Sequence, residues 1–367
     1  MLRVLQAVGG LARGGTESVV MNFYRQIDRS QVQFDFVSHH PGLNDYEQEI
    51  RDLGGRVFRV PEFTGLNLLP YIAAWNSLLR AHPECRVIHA HAWSTAPIYL
   101  RAAKRHGLYT IAHSHSVSAR SGLSAAGRLL LKRLLPVGPD YYMACSGAAA
   151  EWLFGRNVTR RENFSILPNA IDVERFRFDT IRRERVREQH GVRDRLVIGH
   201  VGSFDSNKNQ GFAVDLLARV RAERPEAVLW LIGSGPGWEP VREKVLSMGL
   251  EEAVFFWGVR DDVADLLQAM DVFVLPSHFE SFGNAALEAQ CAGLPVICSD
   301  TIPREVAVND DIAFLPLDRP DIWAERIRTS AGRRERSDAP AWSRYDIRTA
   351  AEWLQRFYLS RPVTEKR

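Results

Sequence analysis

The clearest strand–loop–helix pattern in the sequence is Asp271-Val272-Phe273-Val274-Leu275-Pro276-Ser277-His278-Phe279-Glu280-Ser281-Phe282-Gly283-Asn284-Ala285-Ala286-Leu287-Glu288. Residues 271–277 predict a buried strand closed by a Pro-Ser turn. Residues 285–292 are good helix formers without a β-branched side chain, and the apolar run 295–298 predicts a second strand. In a parallel α/β sheet, this order places residues 280–284 at the carboxyl end of a strand and at a helix N-terminus. Ligands bind at such edges, and free backbone N–H groups there favour phosphate.

Outward from this stretch, short apolar runs alternate with amphipathic runs along most of the chain. Strands are predicted at 4–8, 34–37, 87–89, 109–112, 141–145, 196–201, 228–232 and 254–257. Helices are predicted at 16–27, 46–53, 71–79, 212–224, 240–248 and 347–359. This alternation is typical of parallel sheets covered by helices. Because 367 residues are too many for one ordinary core, the sequence predicts two Rossmann-like α/β domains.

The composition excludes several classes of protein. The 47 Lys and Arg residues nearly balance the 44 Asp and Glu residues, so no attraction to nucleic acid is predicted. The four cysteines show no C-x-x-C spacing, which favours buried thiols in a reducing compartment over disulfides or a metal site. No apolar run approaches the roughly 20 residues of a membrane-spanning helix. The first apolar run ends at Gly9-Gly10, like a strand rather than a signal peptide, so a cytoplasmic protein is expected.

Two glycine-rich loops are candidates for phosphate binding, at residues 9–17 and 233–237. The first is not a Walker A loop, because no Lys follows its glycines, and it does not meet G-x-G-x-x-G. The second has Trp238 where the third glycine of that pattern is required. A tight turn explains each loop about as well as a ligand does. Because both motifs fail, neither a dehydrogenase nor a P-loop enzyme is predicted.

Taken together, the motifs resemble those of the retaining family-4 glycosyltransferases with the GT-B fold. Glu280 and Glu288 match the E-x7-E signature of that family. Other matching segments, in the expected order, are Gly14-Gly15-Thr16-Glu17, His89-Ala90-His91, Ala144-Cys145-Ser146, Leu167-Pro168-Asn169-Ala170-Ile171-Asp172 with Phe176, Gly202 with Lys208-Asn209, and Gly233-Ser234-Gly235-Pro236. Residues 21–24 with 27–28, 112–115 and 345–347 are similar to those of a subgroup from bacterial exopolysaccharide and capsule clusters.

The resemblance implies a donor site around the E-x7-E stretch. Glu288 would hold the ribose hydroxyls of a nucleotide sugar, although a helix-surface Glu is the alternative. Glu280 would contact the donor sugar or the diphosphate edge, or else act as a helix-capping carboxylate. Phe282, Gly283 and Asn284 would offer backbone amides to the diphosphate, and Asn284 could instead be a simple cap.

The remaining donor residues implied by the resemblance lie in three glycine-containing loops. Lys208 would neutralise the diphosphate leaving group, against the alternative of a solvated loop lysine. Gly14, Gly15 and Gly235 would belong to the glycine loops of the family. The chain departs from the family at Ser203, where an Arg commonly follows the glycine. One cation of the usual pair is therefore missing, and a weakened or degenerate member is an open alternative.

Four histidines end two strands of the first half. One of His113 and His115 would serve near the sugar and its acceptor, and since residues two apart on a strand share a face, the spacing leaves both open. His89 and His91 are expected to support the sheet end structurally rather than to bind metal, because no third ligand is evident nearby. Neither a metal nor another cofactor is expected.

The resemblance also implies a domain plan. Residues 1–172 would form an acceptor-binding domain, 173–345 a nucleotide-sugar-binding domain facing it across a cleft, and 346–367 a helix returning to the first domain. The charged segment 172–195 is predicted to be a loop-rich linker. Within it, Arg182, Arg183, Arg185 and Arg187 alternate with Glu184 and Glu188, which favours a solvated helix.

The predicted function is transfer of a sugar from a nucleotide sugar, with UDP favoured, to a saccharide or lipid-linked acceptor. The basic amphipathic stretch 120–135 is an equally open candidate for peripheral contact with the inner face of a membrane or for a core-packed helix. Two other functions stay open: a nucleotide-sugar epimerase or hydrolase on the same fold, and a catalytically weak nucleotide-sugar-binding scaffold. The donor base, the sugar, the acceptor and the linkage are not determined by the residues.

Overall fold

The computed structural model describes residues 1–12, 14–40, 45–91, 95–115, 138–330 and 340–361. The basic stretch 120–135 lies outside these residues. The chain divides into two compact units, Met1–Ala170 with Arg344–Arg367, and Ile171–Ser343. Among the described helices, none is both long and apolar enough to cross a membrane.

The first unit is built around a seven-stranded parallel sheet of order β3-β2-β1-β4-β5-β6-β7. Its strands are β1 (Leu2–Val8), β2 (Val32–Ser38), β3 (Val57–Arg59), β4 (Cys85–Ala90), β5 (Tyr109–Ser114), β6 (Tyr141–Ala144) and β7 (Phe164–Ile166). Its helices are α1 (Gly15–Gln26), α2 (Glu47–Asp52), α3 (Leu68–Ala81), α4 (Ala96–Arg105) and α5 (Gly147–Phe154), with a 3₁₀ turn at Val158–Arg160. Apolar clusters cover both faces of the sheet, as a parallel sheet requires.

The second unit contains a six-stranded parallel sheet of order β10-β9-β8-β11-β12-β13. Its strands are β8 (Val197–Val201), β9 (Val228–Ile232), β10 (Val254–Gly258), β11 (Val272–Leu275), β12 (Val296–Ser299) and β13 (Ile312–Leu315). Its helices are α6 (Val173–Phe176), α7 (Thr180–Gln189), α8 (Gln210–Arg221), α9 (Trp238–Ser247), α10 (Val263–Ala269), α11 (Asn284–Cys291) and α12 (Pro320–Ser330), with a 3₁₀ turn at Arg304–Val306. The predicted pair of Rossmann-like parallel sheets is confirmed.

A 3₁₀ turn at Pro340–Arg344 precedes the last described helix, α13 (Ile347–Leu359), which lies where the sequence predicts it. Asp346 caps this helix by accepting the backbone N–H of Arg348. Leu354, Phe357 and Tyr358 are buried in the same apolar cluster as the residues of α1 and β2. The helix therefore returns to the first unit, as expected.

In each sheet, the strands that come first in the chain are added toward one edge, and the later strands are added toward the other edge. The place where this direction changes is the switch point of the sheet. In the first unit this switch point lies between β1 and β4, and in the second it lies between β8 and β11. Loops leaving the carboxyl ends of two such strands diverge to opposite sides and leave a crevice, which is where open α/β sheets bind ligands. The fold therefore points to the loops after β8 and β11, and to the ends of β1, β4 and β5.

The prediction of a loop-rich, solvated linker at 172–195 is wrong. The segment holds α6 and α7, and α7 packs against α10. Arg187 is only 7% exposed, and its guanidinium donates to Asp271 Oδ2 at 3.0 Å and to the Ala269 carbonyl at 2.7 Å. Arg183 donates to the other oxygen of the same carboxylate at 2.5 Å. The arginines on one face of α7 therefore tie this helix to the start of β11.

All four cysteines are buried and none is in a disulfide, which confirms the prediction of buried thiols.

Candidate functional site

Lys208 and Glu280 meet at the switch point of the second sheet. Lys208 follows β8 and Glu280 follows β11, and these two strands are direct neighbours. Lys208 Nζ donates to Glu280 Oε1 at 2.5 Å, and Ser277 Oγ donates to the same oxygen at 2.8 Å. The side chains of Lys208 and Glu280 keep 21% and 12% of their surface exposed. Lys208 is therefore an oriented cation rather than a freely solvated one, and Glu280 uses its carboxylate to hold it.

The loop that carries Lys208 is fixed by hydrogen bonds to the loop that carries Glu280. The backbone N–H of His278 donates to the Asn207 carbonyl at 2.8 Å, and Asn207 Nδ2 donates to the Phe279 carbonyl at 2.7 Å. Asp205 Oδ1 accepts the backbone N–H groups of Asn207 and Lys208 at 3.0 and 3.1 Å. These bonds hold the two loops together, so the ion pair rests on a rigid support.

The glycine loop 233–237 lies directly against the backbone of the loop after β8. Gly233 and Gly235 have φ angles of +135° and +155°. A Cβ atom would stand 2.0 Å from the Gly202 carbonyl oxygen at Gly233, and 2.4 Å from the Phe204 carbonyl oxygen at Gly235. Phe204 also exchanges backbone hydrogen bonds with Ser234 and Gly237 at 2.9 and 2.8 Å. The glycines thus permit a close approach of two backbones, which gives Gly235 a structural reason independent of any ligand.

Ser203, at the position where the family commonly has an Arg, is exposed at the start of this loop. Its Oγ donates to Asp205 Oδ2 at 2.8 Å.

Arg304 is a further cation on this side of the second sheet, and the sequence reasoning missed it. Burial, and then Glu280, raise the pKa of the Cys298 thiol at the end of β12, whereas Arg304 lowers it, so both charges act on this edge of the sheet. Arg304 also stacks its guanidinium over the Phe314 ring at 3.9 Å.

Helix α11 begins immediately after the loop with Glu280. Gly283 precedes its first residue with φ +97°, in the left-handed region that favours glycine. A Cβ there would meet only ordinary contacts at 3.6 to 3.7 Å, so the backbone conformation rather than space requires the glycine. Because Gly283 occupies the N-cap position, the alternative of Asn284 as a simple cap is wrong. Asn284 is the first residue of the helix, and its N–H belongs to the helix terminus.

Glu288 lies on α11 one turn beyond Asn284, and its side chain is only partly exposed. Burial raises its pKa to about 7, and the positive charge of Arg175 on α6 opposes this rise. A carboxyl group of this kind is partly protonated at neutral pH. A ligand that donates hydrogen bonds to the ionised form would stabilise that form. The alternative of an ordinary solvated helix-surface Glu does not fit this surrounding.

Gly14 and Gly15 lie in the first unit, at the start of α1. Gly14 is extended, with φ −91°, and Gly15 is the first helical residue. A Cβ on Gly14 would stand 2.4 Å from Glu17 Oε2, whereas a Cβ on Gly15 would meet nothing within 4 Å. The helix start is therefore open at Gly15 and crowded at Gly14 by a flexible side chain.

Four histidines of the first unit, His89, His91, His113 and His115, form one cluster at the ends of β4 and β5. His89 Nε2 lies 3.1 Å from His113 Nδ1, and His91 Nδ1 lies 2.7 Å from His115 Nε2. His113 is 2% exposed. His113 Nε2 and His115 Nδ1 are buried without a hydrogen-bond partner among the described residues. The structure thus brings together two predicted candidates, His113 and His115, with two histidines predicted to be supporting residues.

Two further residues complete this cluster, and the sequence reasoning missed both. Gln6, a polar residue in the otherwise apolar β1, accepts from His91 Nε2 at 2.8 Å and donates through its own Nε2 to the Tyr358 hydroxyl at 3.3 Å. Tyr358 belongs to α13, and its hydroxyl oxygen lies 2.6 Å from His89 Nδ1. Only the buried polar position of Gln6 within β1 could have marked it in the sequence.

Burial lowers the pKa of all four imidazoles, well below the usual range for three of them and to about 3 for His115. They are therefore neutral at pH 7. The four rings line a cavity of about 10 Å³, together with Gln6 and Tyr358.

The prediction that His89 and His91 lack a third metal ligand nearby is wrong. One ring nitrogen from each of His89, His91 and His113 lies within 4.8 Å of the others, and neutral imidazole is the form that binds metal. The rings of His89 and His91 are stacked at 28°, however, and those of His89 and His113 at 17°. Ring lone pairs lie in the ring planes, so nearly parallel rings do not aim them at one point. The same rings are engaged in hydrogen bonds, His89 and His91 through both nitrogens and His113 through Nδ1.

The sequence matches two family descriptions, Glycosyltransferase Family 4 over residues 13–175 and Glycosyl transferases group 1 over residues 195–331. The putative glycosyltransferase EpsF of Bacillus subtilis (strain 168) is 34% identical over 336 residues, which are 90% of this chain and 88% of EpsF. A GDP-mannose-dependent alpha-(1-6)-phosphatidylinositol monomannoside mannosyltransferase of Mycolicibacterium smegmatis is 26% identical over 340 residues, which are 87% of this chain and 85% of that protein.

Solved structures agree with this relationship at the level of the fold. HepE of Anabaena, crystallised in complex with UDP, superposes with a TM-score of 0.78 at 19% identity, over 98% of this chain and 100% of HepE. Sucrose-phosphate synthase from Thermosynechococcus elongatus superposes with a TM-score of 0.77 at 19% identity, over 98% of each chain. With two Rossmann-like units and EpsF as a relative along most of its length, the chain belongs to the family-4 glycosyltransferases and has the GT-B fold.

Proposed function

We propose that the chain is a retaining glycosyltransferase that moves a sugar from a nucleotide diphosphate sugar to a hydroxyl of a saccharide or lipid-linked saccharide. The observation that carries this proposal is the Lys208–Glu280 ion pair at the switch point of the second sheet, beside the glycine-capped start of α11. An oriented cation and a helix N-terminus at one sheet edge suit a diphosphate. The proposed reaction needs no bound metal ion.

The leaving group is the proposed target of Lys208. Negative charge grows on the diphosphate as the glycosidic bond breaks, and a positioned cation is worth most where charge develops. The backbone amides of Phe282, Gly283 and Asn284 and the positive end of the α11 dipole are proposed to act on the same charge. Because Glu280 and the backbone bonds already fix Lys208, little reorganisation is needed when the donor binds.

The ribose is the proposed partner of Glu288, whose carboxylate can accept two hydroxyl hydrogen bonds. We favour a UDP-sugar as the donor because HepE was crystallised with UDP and with UDP-glucose. GDP-mannose is the next candidate, since the M. smegmatis relative is described as GDP-mannose-dependent. The second unit is thus proposed to bind the nucleotide sugar, and the first unit, with His113 and His115, to bind the acceptor.

A donor screen followed by product analysis tests the proposal. UDP, GDP, ADP and their sugars are added to the full chain, and the melting temperature is measured, because a ligand that binds the native state must raise it. The donor that binds is then supplied with saccharide acceptors, and the anomeric configuration of the product is determined by NMR.

The expected result is a raised melting temperature with one nucleotide class and a product with the anomeric configuration of the donor. An inverted product would refute the retaining mechanism. Release of free sugar or an epimerised nucleotide sugar, without any acceptor present, would replace the proposal with the hydrolase or epimerase alternative.

Ser203 motivates a second candidate function, a nucleotide-sugar-binding protein with weak or no catalysis. One cation of the usual pair is replaced by a hydroxyl that donates to Asp205. This candidate predicts nucleotide binding without turnover in the wild type and gain of turnover in Ser203→Arg. Ser206→Arg is the matched control, because Ser206 is exposed on the same loop. Full turnover by the wild type, with no gain in Ser203→Arg, would exclude the second candidate.

A further inference from the structure

We propose that Gln6 and Tyr358 are positioning residues that set the protonation pattern of the histidine cluster, so that His115 presents a hydrogen-bond acceptor and His113 presents a donor. The pattern itself follows from the hydrogen-bond chain in the first unit. Its use in sugar transfer rests on the proposed function. The sequence spacing leaves His113 and His115 equivalent, whereas this chain gives them opposite chemical roles.

The first half of the argument starts at the carbonyl oxygen of the Gln6 side chain, which can only accept. His91 Nε2 lies 2.8 Å from it and therefore carries a proton. In a neutral imidazole the other nitrogen is then an acceptor, so His91 Nδ1 must accept from His115 Nε2 at 2.7 Å. His115 thus carries its proton on Nε2, and its buried Nδ1 holds a lone pair with no partner among the described residues.

The second half starts at the amide nitrogen of Gln6, which donates to the Tyr358 hydroxyl oxygen at 3.3 Å. The hydroxyl hydrogen of Tyr358 then needs an acceptor, and His89 Nδ1 lies 2.6 Å away. Leaving that buried hydrogen unpaired would carry its full desolvation penalty, so Tyr358 donates to His89. His89 consequently holds its proton on Nε2 and donates to His113 Nδ1 at 3.1 Å, which leaves the proton of His113 on Nε2.

The opposite orientation of the Gln6 amide would reverse every bond and protonate all four rings on Nδ1. The structure has the first orientation, with the Gln6 oxygen facing His91 Nε2 and the Gln6 nitrogen facing the Tyr358 hydroxyl. The Leu167 backbone raises the pKa of His113 against the lowering effect of burial, as an acceptor near this ring does.

The two adjacent rings therefore have different hydrogen-bonding roles. His115 Nδ1 can accept a hydrogen bond from a hydroxyl, and His113 Nε2 can donate one to an oxygen. Tyr358 belongs to α13 and lies 352 positions from Gln6 along the chain. The arrangement of protons therefore forms only when α13 packs on the first unit.

The test is a direct reading of the tautomers. In the full-length chain labelled with ¹⁵N, the ring-nitrogen chemical shifts report which nitrogen carries the proton, with assignments from single His→Gln variants. The proposal expects protonated Nε2 in His89, His91, His113 and His115. Protonated Nδ1 in all four, or signals broadened by a metal with one metal equivalent retained by the purified protein, would overturn it.

Variants test the positioning residues themselves. Tyr358→Phe removes the donor to His89, so the ring shifts of His89 and His113 should change while those of His91 and His115 stay in place. Tyr24→Phe is the matched control, because Tyr24 is a buried tyrosine of the same unit that bonds Gln33 and the Leu53 carbonyl instead of a histidine. Equal changes at all four rings, or none, would overturn the role of Tyr358.

Gln6→Glu provides a second variant if Tyr358→Phe does not fold. A carboxylate accepts from both His91 and Tyr358, so the Tyr358 hydrogen is diverted from His89. His89 and His113 should then move their protons to Nδ1, while His91 and His115 keep theirs on Nε2. Retention of Nε2 protons on all four rings in this variant would refute the chain.

Activity provides a readout that a purely structural residue would not give. With an identified donor, Tyr358→Phe should lower kcat by about 10²-fold or less and leave the donor KM unchanged, because removing a positioned proton-transfer group costs about 10²–10⁴-fold and misplacing a ring costs less. Tyr24→Phe should keep the wild-type kcat. If the wild type transfers no sugar from any donor, the proposed function fails, but the tautomer measurement still decides the hydrogen-bond chain. A parallel loss of kcat in both tyrosine variants would refute the positioning role.

Discussion

Lys208 and Glu280 are 72 positions apart in the chain, and their side chains form an ion pair of 2.5 Å at the carboxyl ends of adjacent strands. The pair is only partly exposed, and the loops on both sides of it are joined by backbone and side-chain hydrogen bonds. A cation held this way is ready to face a diphosphate, yet it remains neutralised by Glu280 until a ligand arrives. Under the proposed function, the donor diphosphate would share Lys208 with Glu280.

Lys208→Met should lower kcat by about 10²- to 10³-fold, because it removes a charge aimed at the leaving group. Nucleotide binding, measured as a shift in melting temperature, should weaken as well. Lys244→Met is the matched control, since Lys244 forms a similar ion pair with Asp215 at 2.6 Å in the same unit. Unchanged kcat in Lys208→Met would exclude this lysine from the reaction, and an equal loss in both variants would indicate a stability effect.

Gly235→Ala should destabilise the second unit by about 1–3 kcal/mol, as overpacking does, because its Cβ would press on the Phe204 carbonyl oxygen. The displaced loop is the one that carries Lys208, so nucleotide binding should weaken too. Gly211→Ala is the control, because Gly211 is helical and a Cβ there would meet its nearest atoms, on Lys244, at 3.8 Å. It should be neutral or slightly stabilising. Urea unfolding of both variants measures the difference, and equal stabilities would contradict the close-approach role of Gly235.

Glu288 should make nucleotide binding depend on pH near neutrality. Its pKa is about 7 in the folded chain against an ordinary value of 4.5, so the folded state binds more protons than the unfolded state between these values. The contribution of Glu288 to stability therefore falls as pH rises through this window. Ribose hydroxyls favour the ionised carboxylate, so nucleotide affinity should rise through the same window.

The measurement is the nucleotide Kd between about pH 5.5 and about pH 8.5, in the wild type and in Glu288→Gln. The variant should bind more weakly at high pH and lose the pH dependence. Glu226→Gln serves as a control, because Glu226 is paired with Arg224 at 2.6 Å on the surface of the same unit. A pH dependence that persists in Glu288→Gln would assign it to another group.

Much of the fold could be predicted from local pattern, because each buried strand of a parallel sheet is a compact apolar run. The strand at Val228–Ile232 and the helix at Ile347–Leu359 have the predicted bounds. The short strands Val57–Arg59, Phe164–Ile166 and Ile312–Leu315 were not predicted. They lie at the edges of the sheets and are only partly buried, so their apolar pattern is weak.

The residues of the candidate site could be predicted where they lie close together in the sequence. They could not be predicted where residues that are distant in the sequence come into contact. Glu280, Gly283 and Glu288 lie on one continuous stretch, so their spacing alone indicates a site. Tyr358 reaches His89 across 269 positions, a contact that no local pattern contains. Gln6 was visible only as one polar residue in an apolar strand.

The wrong prediction for 172–195 has a physical reason that can be tested. A sequence of alternating Arg and Glu residues is compatible with a solvated helix. It is equally compatible with a helix that has one face packed against a buried carboxylate. Asp271 is that carboxylate: it is 7% exposed and also accepts the backbone N–H of Val197 at 2.8 Å. Arg187 meets it from α7 and bonds four backbone carbonyls besides, so its charge is fully engaged.

Arg187→Met should therefore destabilise the second unit by about 3 kcal/mol, because it leaves a buried carboxylate with one partner fewer and four carbonyls without a donor. Arg193→Met is the matched control on the same segment. Its ion pair with Glu188 is more than half exposed, at 63% and 64%, and such surface pairs contribute less than about 1 kcal/mol. Urea unfolding followed by tryptophan fluorescence measures both. Equal midpoints for the two variants would restore the solvated-helix interpretation, whereas a large loss confined to Arg187→Met identifies α7 as part of the support of β11, the strand that leads into Glu280.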